Sequence, residues 1–178
     1  TQFIEALNHL RNQEDPKMVF HESYNLLQRI LNVLASDVKS TSGGRHRCGV
    51  WLKNDQYLVL NYSSAGFPLS YNGTRKLHID RSTAGRCLRK QTVINCPDVN
   101  KDEDWEKNED SKSPYQSLIC IPLDNWAVLT IDGLEPMSEE CKMIGELYAT
   151  IIRGIIDEHM KAVILKQQSE YYGEEEAG

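Results

Sequence analysis

The sequence predicts an α+β domain with a central antiparallel sheet. Its terminal helices share one face of the sheet, while a short helix and loops roof the other and leave a pocket beneath them. Three observations carry this expectation. Long amphipathic helical patterns stand near both ends of the chain, most of the segments between them read as strands joined by tight turns, and one short helical pattern interrupts the strand run.

The elements follow in order. Phe3 to Leu10 reads as a short helix within an N-terminal extension, residues 1–14. Asp15 is a good N-cap and Pro16 is at home in a first helical turn. Val19, Leu26, Leu27, Ile30, Leu31, Leu34 and Val38 then recur at three- and four-residue spacing, which predicts a helix to about Lys39. Ser40 to Gly44 reads as a loop. Cys48 to Leu52 and Gln56 to Tyr62 read as a hairpin turning at Asn54-Asp55. Ser63 to Thr74 is a loop, Leu77 to Ile79 a short strand, and Ser82 to Lys90 a short helix capped by Ser82 or Thr83. Thr92 to Asn95 is a short strand ending before Pro97, and the polar run Asp98 to Pro114 is expected as an exposed lid with little helix. Tyr115 to Leu123 and Trp126 to Asp132 form a second hairpin, turning at Asp124-Asn125.

Ser138 then caps a long helix, with Glu139 and Glu140 in its first turn. Its apolar stripe is wide enough for one side to cover the sheet and another to meet a partner helix. Ile144, Tyr148, Ile151, Ile152 and Ile155 are assigned to that partner contact, in a homodimer. The pattern runs about 30 residues, roughly 45 Å. Residues 169–178 read as an acidic disordered tail, so the domain proper spans residues 15–168.

Composition narrows the function. The 178 residues are 40% hydrophobic and 26% charged, with net charge −6, a globular mixture whose sign disfavours nucleic acid. No apolar run approaches the roughly 20 residues of a membrane span, and no signal-peptide pattern opens the chain. Five cysteines at 48, 87, 96, 120 and 141, without C-x-x-C spacing, read as buried thiols in a reducing, cytoplasmic setting. The start at Thr1 reads as a segment of a longer protein. Phosphate-loop, Gly-x-Ser-x-Gly and His-Glu-x-x-His motifs are absent. Asp98, Asn100, Asp102, Asp104, Glu106 and Glu109 match a calcium-loop spacing, but Glu103 stands where that loop needs Gly, so no metal site is assigned.

Three stretches carry a resemblance to a known family. They are Arg81-Ser-Thr-Ala-Gly-Arg-Cys-Leu-Arg-Lys-Gln-Thr-Val-Ile-Asn-Cys-Pro-Asp-Val99, Tyr115-Gln-Ser-Leu-Ile-Cys-Ile-Pro-Leu123, and Val128-Leu-Thr-Ile-Asp132 leading into the last helix. In this order they resemble the second half of a GAF domain. With the flanking helices the likeness covers about residues 17–168. It implies a six-stranded antiparallel sheet and a small-molecule pocket beneath the short helix. It also implies a signalling role relayed through terminal helices that pair in a dimer.

Within that frame, Ser82 and Thr83, with the free N–H groups of the short helix, could hold an anionic group helped by Arg81 and Arg86. Trp51, Tyr62 or Tyr115 could stack on a ring, and Cys96, Asp98 and Ser117 complete the candidate lining. A cyclic nucleotide is one such ligand. The signature of the family's cyclic-nucleotide subset is broken here, since Asn100-Lys101 is present but no Phe follows Phe67. Bilin is disfavoured because no cysteine precedes a His, and haem would rest on His78 or His159 alone.

Two further readings stay open. One is a ligand-free dimerisation platform, marked by a filled pocket with Trp51 packed inward. The other is the free methionine sulfoxide reductase activity of one GAF branch, through Cys87 and Cys96. Against the second stand Ala84 at one of that branch's cysteine positions and the lack of Cys between residues 97 and 119.

Overall fold

The computed structural model describes residues 2–105 and 113–177. The elements are α1 (Gln2–Asn12), α2 (Pro16–Ser42), β1 (His46–Asn54), β2 (Tyr57–Ser63), β3 (Lys76–His78), α3 (Thr83–Lys90), β4 (Ile94–Cys96), β5 (Ser117–Asp124), β6 (Ala127–Gly133) and α4 (Glu139–Ala177). The six strands make one sheet in the order β3-β2-β1-β6-β5-β4, every neighbouring pair antiparallel. This is the α+β architecture the sequence predicts.

Local chemistry explains the boundaries and the differences from expectation. Asp15 caps α2 by accepting from the Lys17 N–H at 3.0 Å. The run expected as a loop from Ser40 stays helical to Ser42, where Gly43 in the left-handed conformation caps the helix by donating its N–H to the Lys39 carbonyl. Both hairpin turns sit one residue later than expected. Asn54 pairs with Tyr57, so the first turn is Asp55-Gln56, with Asp55 in the left-handed conformation. Asp124 pairs with Ala127, so the second turn is Asn125-Trp126.

In α4 the Ser138 hydroxyl accepts from the Cys141 N–H, as its cap role requires. The helix has 39 residues and continues through 169–177, the segment expected as an acidic disordered tail. That stretch contains no Pro, and Glu170, Glu174, Glu175, Glu176 and Ala177 are good helix formers. The expected lid falls partly outside the described residues. Its first part, 98–105, carries a 3-10 turn at Val99–Lys101.

The sheet separates two cores. On one face, α2 and α4 pack against each other and against the strands. Leu27, Ile30, Leu31, Leu34, Leu129, Ile131 and Ile152 are all fully buried there, each contributing about 1.5–3 kcal/mol. α1 joins this layer through Leu7 and Leu10. Leu7 lies close over Gly154 of α4, where any side chain would collide with it.

This layer corrects the dimer assignment. Ile152 and Ile155 are 0% exposed and belong to the core, while Ile144, Tyr148 and Ile151 pack partly against it. A 3.6-residue stripe cannot tell a sheet from a partner helix; here the intramolecular partners take it. The apolar residues that α4 leaves exposed are Met143, Leu147, Ile164, Leu165, Tyr171 and Tyr172.

The second core lies on the opposite face, where α3 packs Ala84, Cys87 and Leu88 over Trp51, Leu60, Leu118, Cys120 and Val128. Ser82 caps α3 by accepting from the Gly85 N–H at 2.9 Å. Gly85 is required because a side chain there would run into the Ile79 backbone. That close approach sets the height of the roof.

Candidate functional site

Between roof and sheet lies a small chamber of about 90 Å³. Its floor is the cross-strand pair Arg47 of β1 and Asp132 of β6. The Arg47 Nε–H donates to Asp132 Oδ2 at 2.5 Å, and both side chains are largely buried. The guanidinium lies between two rings, 4.2 Å from the centre of Phe67 and 4.5 Å from that of Tyr115. Burial raises the Asp132 carboxyl above its ordinary range, an effect that the charges of Arg47, His46 and Arg75 offset only in part. Trp51, Tyr71 and Trp105 add further aromatic wall. Arg75 lines the same space, stacks 5.9 Å from the Tyr71 ring, and makes no ion pair among the described residues.

A second chamber of about 180 Å³ shares Arg75, Leu77, Trp105 and Leu118 with the first and reaches the start of α3. There Thr83 is fully buried, and its hydroxyl has no hydrogen-bond partner among the described residues. Such an orphan costs about 1–3 kcal/mol unless something meets it.

The structure divides the residues singled out from sequence. Trp51, Tyr115 and Ser117 line the first chamber. Trp51 spends its indole N–H on Thr130 Oγ1 at 2.8 Å, and Ser117 spends its hydroxyl on the Glu135 carbonyl at 2.5 Å. Arg81, Ser82 and Thr83 line the second chamber.

Arg86, Cys96 and Asp98 instead border a separate open groove. Arg86 is committed elsewhere, gripping Asp102 at 2.7 and 2.9 Å and Asp104 at 2.6 Å. That grip takes two of the calcium-template carboxylates and holds Asp102 below its ordinary pKa; Glu106 and Glu109 lie outside the described residues. It also fastens the 98–105 segment to α3 beside Trp105, so that Arg86 serves as a clamp in this structure.

Tyr62 is a correction. It faces the helices, packed against Tyr24 and His159, because a bulge between Val50 and Trp51 puts Tyr62 and Trp51 on opposite faces.

Arg47, Phe67, Tyr71, Arg75, Trp105, Thr130 and Asp132 were not singled out from sequence. Only Trp105 carried a local signal, a lone large aromatic in a charged run.

All five cysteines are free and buried. Burial pushes Cys87 up to about 12 and raises Cys48 and Cys120 well above the ordinary thiol range. Cys96 is raised as well, by burial and the nearby Asp102 charge. No cluster of His, Cys, Asp or Glu among the described residues is arranged to hold a metal ion. No described helix is long and apolar enough to cross a membrane.

No family model matches the sequence, and no curated protein matches it either. Solved structures do match in fold. The GAF domain of a phosphoenolpyruvate-protein phosphotransferase from Coxiella burnetii aligns with a TM-score of 0.64 at 15% identity, covering 90% of this chain and 94% of that one. Free methionine-R-sulfoxide reductase from Neisseria meningitidis aligns at 0.58 and 18% identity, covering 85% and 96%. The type II enzyme from Thermoplasma acidophilum aligns at 0.57 and 13%, covering 76% and 96%. Likenesses at such identities establish architecture and no more, so the chain has the fold that GAF domains and free methionine-R-sulfoxide reductases share.

Proposed function

We propose that the chain is a non-catalytic sensory domain that binds a small molecule between α3 and the sheet and passes its occupancy to the helical layer. The observation that carries this reading is the Arg47–Asp132 pair, charged and buried beside an unfilled aromatic chamber. A ligand-free platform would be expected to fill that space with side chains.

The chamber is also tied to α2. The Asp132 carbonyl lies 2.9 Å from His46 Nδ1, and the other ring nitrogen of His46 meets Ser42 in the last turn of α2. The Ala65 N–H, near Phe67, donates to Asn32 of α2 at 2.8 Å. A ligand that favours one arrangement of this floor would bias the packing of α2 and α4. An adjacent output domain in a longer cytoplasmic protein would read that change, through a homodimer in which Met143 and Leu147 replace the buried isoleucines as the contact.

The reductase reading is weaker on chemical grounds. Thiolate is the reactive form, and a thiol with pKa near 12 holds only about one part in 10⁵ as thiolate at pH 7.

Native mass spectrometry of the freshly purified protein beside a denatured control tests the sensor reading. A non-covalent mass excess that disappears on denaturation is expected, on a dimer. A bare protein that also gains no thermal stability from a broad metabolite set would overturn it.

A further inference from the structure

We infer that the ligand is a flat apolar monocarboxylate, with its ring in the aromatic chamber and its carboxylate between Arg75 and the first turn of α3. This rests on the sensor reading above and adds the ligand's chemical class.

Charge gives the first argument. The first chamber holds two guanidinium groups and one carboxylate. Arg47 and Asp132 neutralise each other, and the rings of Phe67 and Tyr115 already enclose the chain's own cation. A ligand cation would find the carboxylate and that aromatic cage occupied and would meet Arg75 as well. A free amino acid faces the same obstacle at its ammonium group. An anion instead meets a cation that has no ion-pair partner among the described residues.

Position gives the second. Arg75 borders both chambers, so a group bound to it can keep its body among the rings and reach toward α3. Thr83 lines the second chamber, and its wholly buried hydroxyl has no partner among the described residues. A carboxylate oxygen would accept from that hydroxyl, and the N-terminal end of α3 favours the same sign of charge.

Size gives the third. Chambers of about 90 and 180 Å³ fall below the roughly 300–1,000 Å³ of pockets for drug-sized ligands. A single ring suits this space better than a purine nucleotide.

Calorimetric titration of the 178-residue protein with three probes on one ring tests the class: benzoate, benzamide and benzylamine. Benzoate is expected to bind one-to-one, about tenfold or more tighter than benzamide, with benzylamine weakest. Arg75→Gln should weaken benzoate about tenfold and leave benzamide unchanged. Thr83→Val should weaken benzoate while raising the melting temperature, because it removes the orphan hydroxyl; a purely structural role would not move the two in opposite directions. The class is overturned if benzamide or benzylamine matches benzoate, if Arg75→Gln leaves benzoate binding intact, or if cyclic AMP or cyclic GMP binds more tightly. Failure of all three probes also overturns it. The sensor reading survives that result if native mass spectrometry still finds a bound small molecule, and falls if it does not.

Discussion

The two faces of the sheet are built on different terms. The helix-facing side closes with aliphatic side chains, and its one buried imidazole, His159, is stacked 5.0 Å from Phe20 with Nδ1 2.7 Å from the Ser23 hydroxyl. The roof side gathers aromatic rings, three thiols, a charged pair and an orphan hydroxyl around empty space. Strands β1, β5 and β6 serve both, alternate residues facing opposite ways. The contrast teaches that one face supplies most of the stability while the other can carry a cavity.

Substitutions can break that contrast. The largest effect is expected from Leu31→Ala, which should lower stability by about 2–5 kcal/mol in denaturant melts. Leu118→Ala on the roof side should cost less than half as much, because the chamber beside it already lacks packing atoms. Equal losses would mean that both faces are equally load-sharing.

Next comes Arg86→Gln, which releases Asp102 and Asp104. Both arginine and Asp102 side chains are largely buried, so a loss of about 1–2 kcal/mol is expected. Red-shifted tryptophan emission should accompany it as Trp105 becomes wetter. Unchanged emission would show that the clamp does not seat Trp105.

The smallest effect is a pH dependence on the helix face. Burial lowers the pKa of His159 below 6.5. The unfolded chain therefore takes up a proton first, and stability present above pH 6.5 is lost as the pH falls below that value. The groups around the ring, Ser23, Phe20, Tyr24 and Tyr62, supply no carboxylate to offset this, and burial holds the Tyr62 phenol up at about 12. Lys166, over the Phe20 ring, adds a further positive charge nearby. His159→Gln should flatten part of the slope; His46, whose pKa is lowered in the same sense, contributes another part. An unaltered slope would remove His159 from the account.

The architecture was legible because periodicity and caps are local. Asp15-Pro16, Ser82 and Ser138 marked helix starts that the structure retains. The site was only half legible because its geometry is not local. Arg47 and Asp132 are 85 residues apart in sequence and meet through strand register. Tyr62 looked like a pocket residue until the bulge beside Trp51 turned it to the other face. Arg86 looked like a ligand contact because nothing in sequence says that Asp102 and Asp104 fold back onto it. The apolar stripe of α4 was real, but three helices and a sheet compete for such a stripe, and Ile152 and Ile155 went to the interior.

On the proposed sensory reading, the length of α4 would amplify small movements at its base. Ala177 lies 18 residues beyond His159 on the same helix, about 27 Å at 1.5 Å per residue. Pivoted at the His159 contact, a tilt of about five degrees would carry the far end a little over 2 Å, taking the helix as a straight rod. A rearrangement at the sheet too slight to disturb the core would then arrive at the tip as a displacement larger than a bond length.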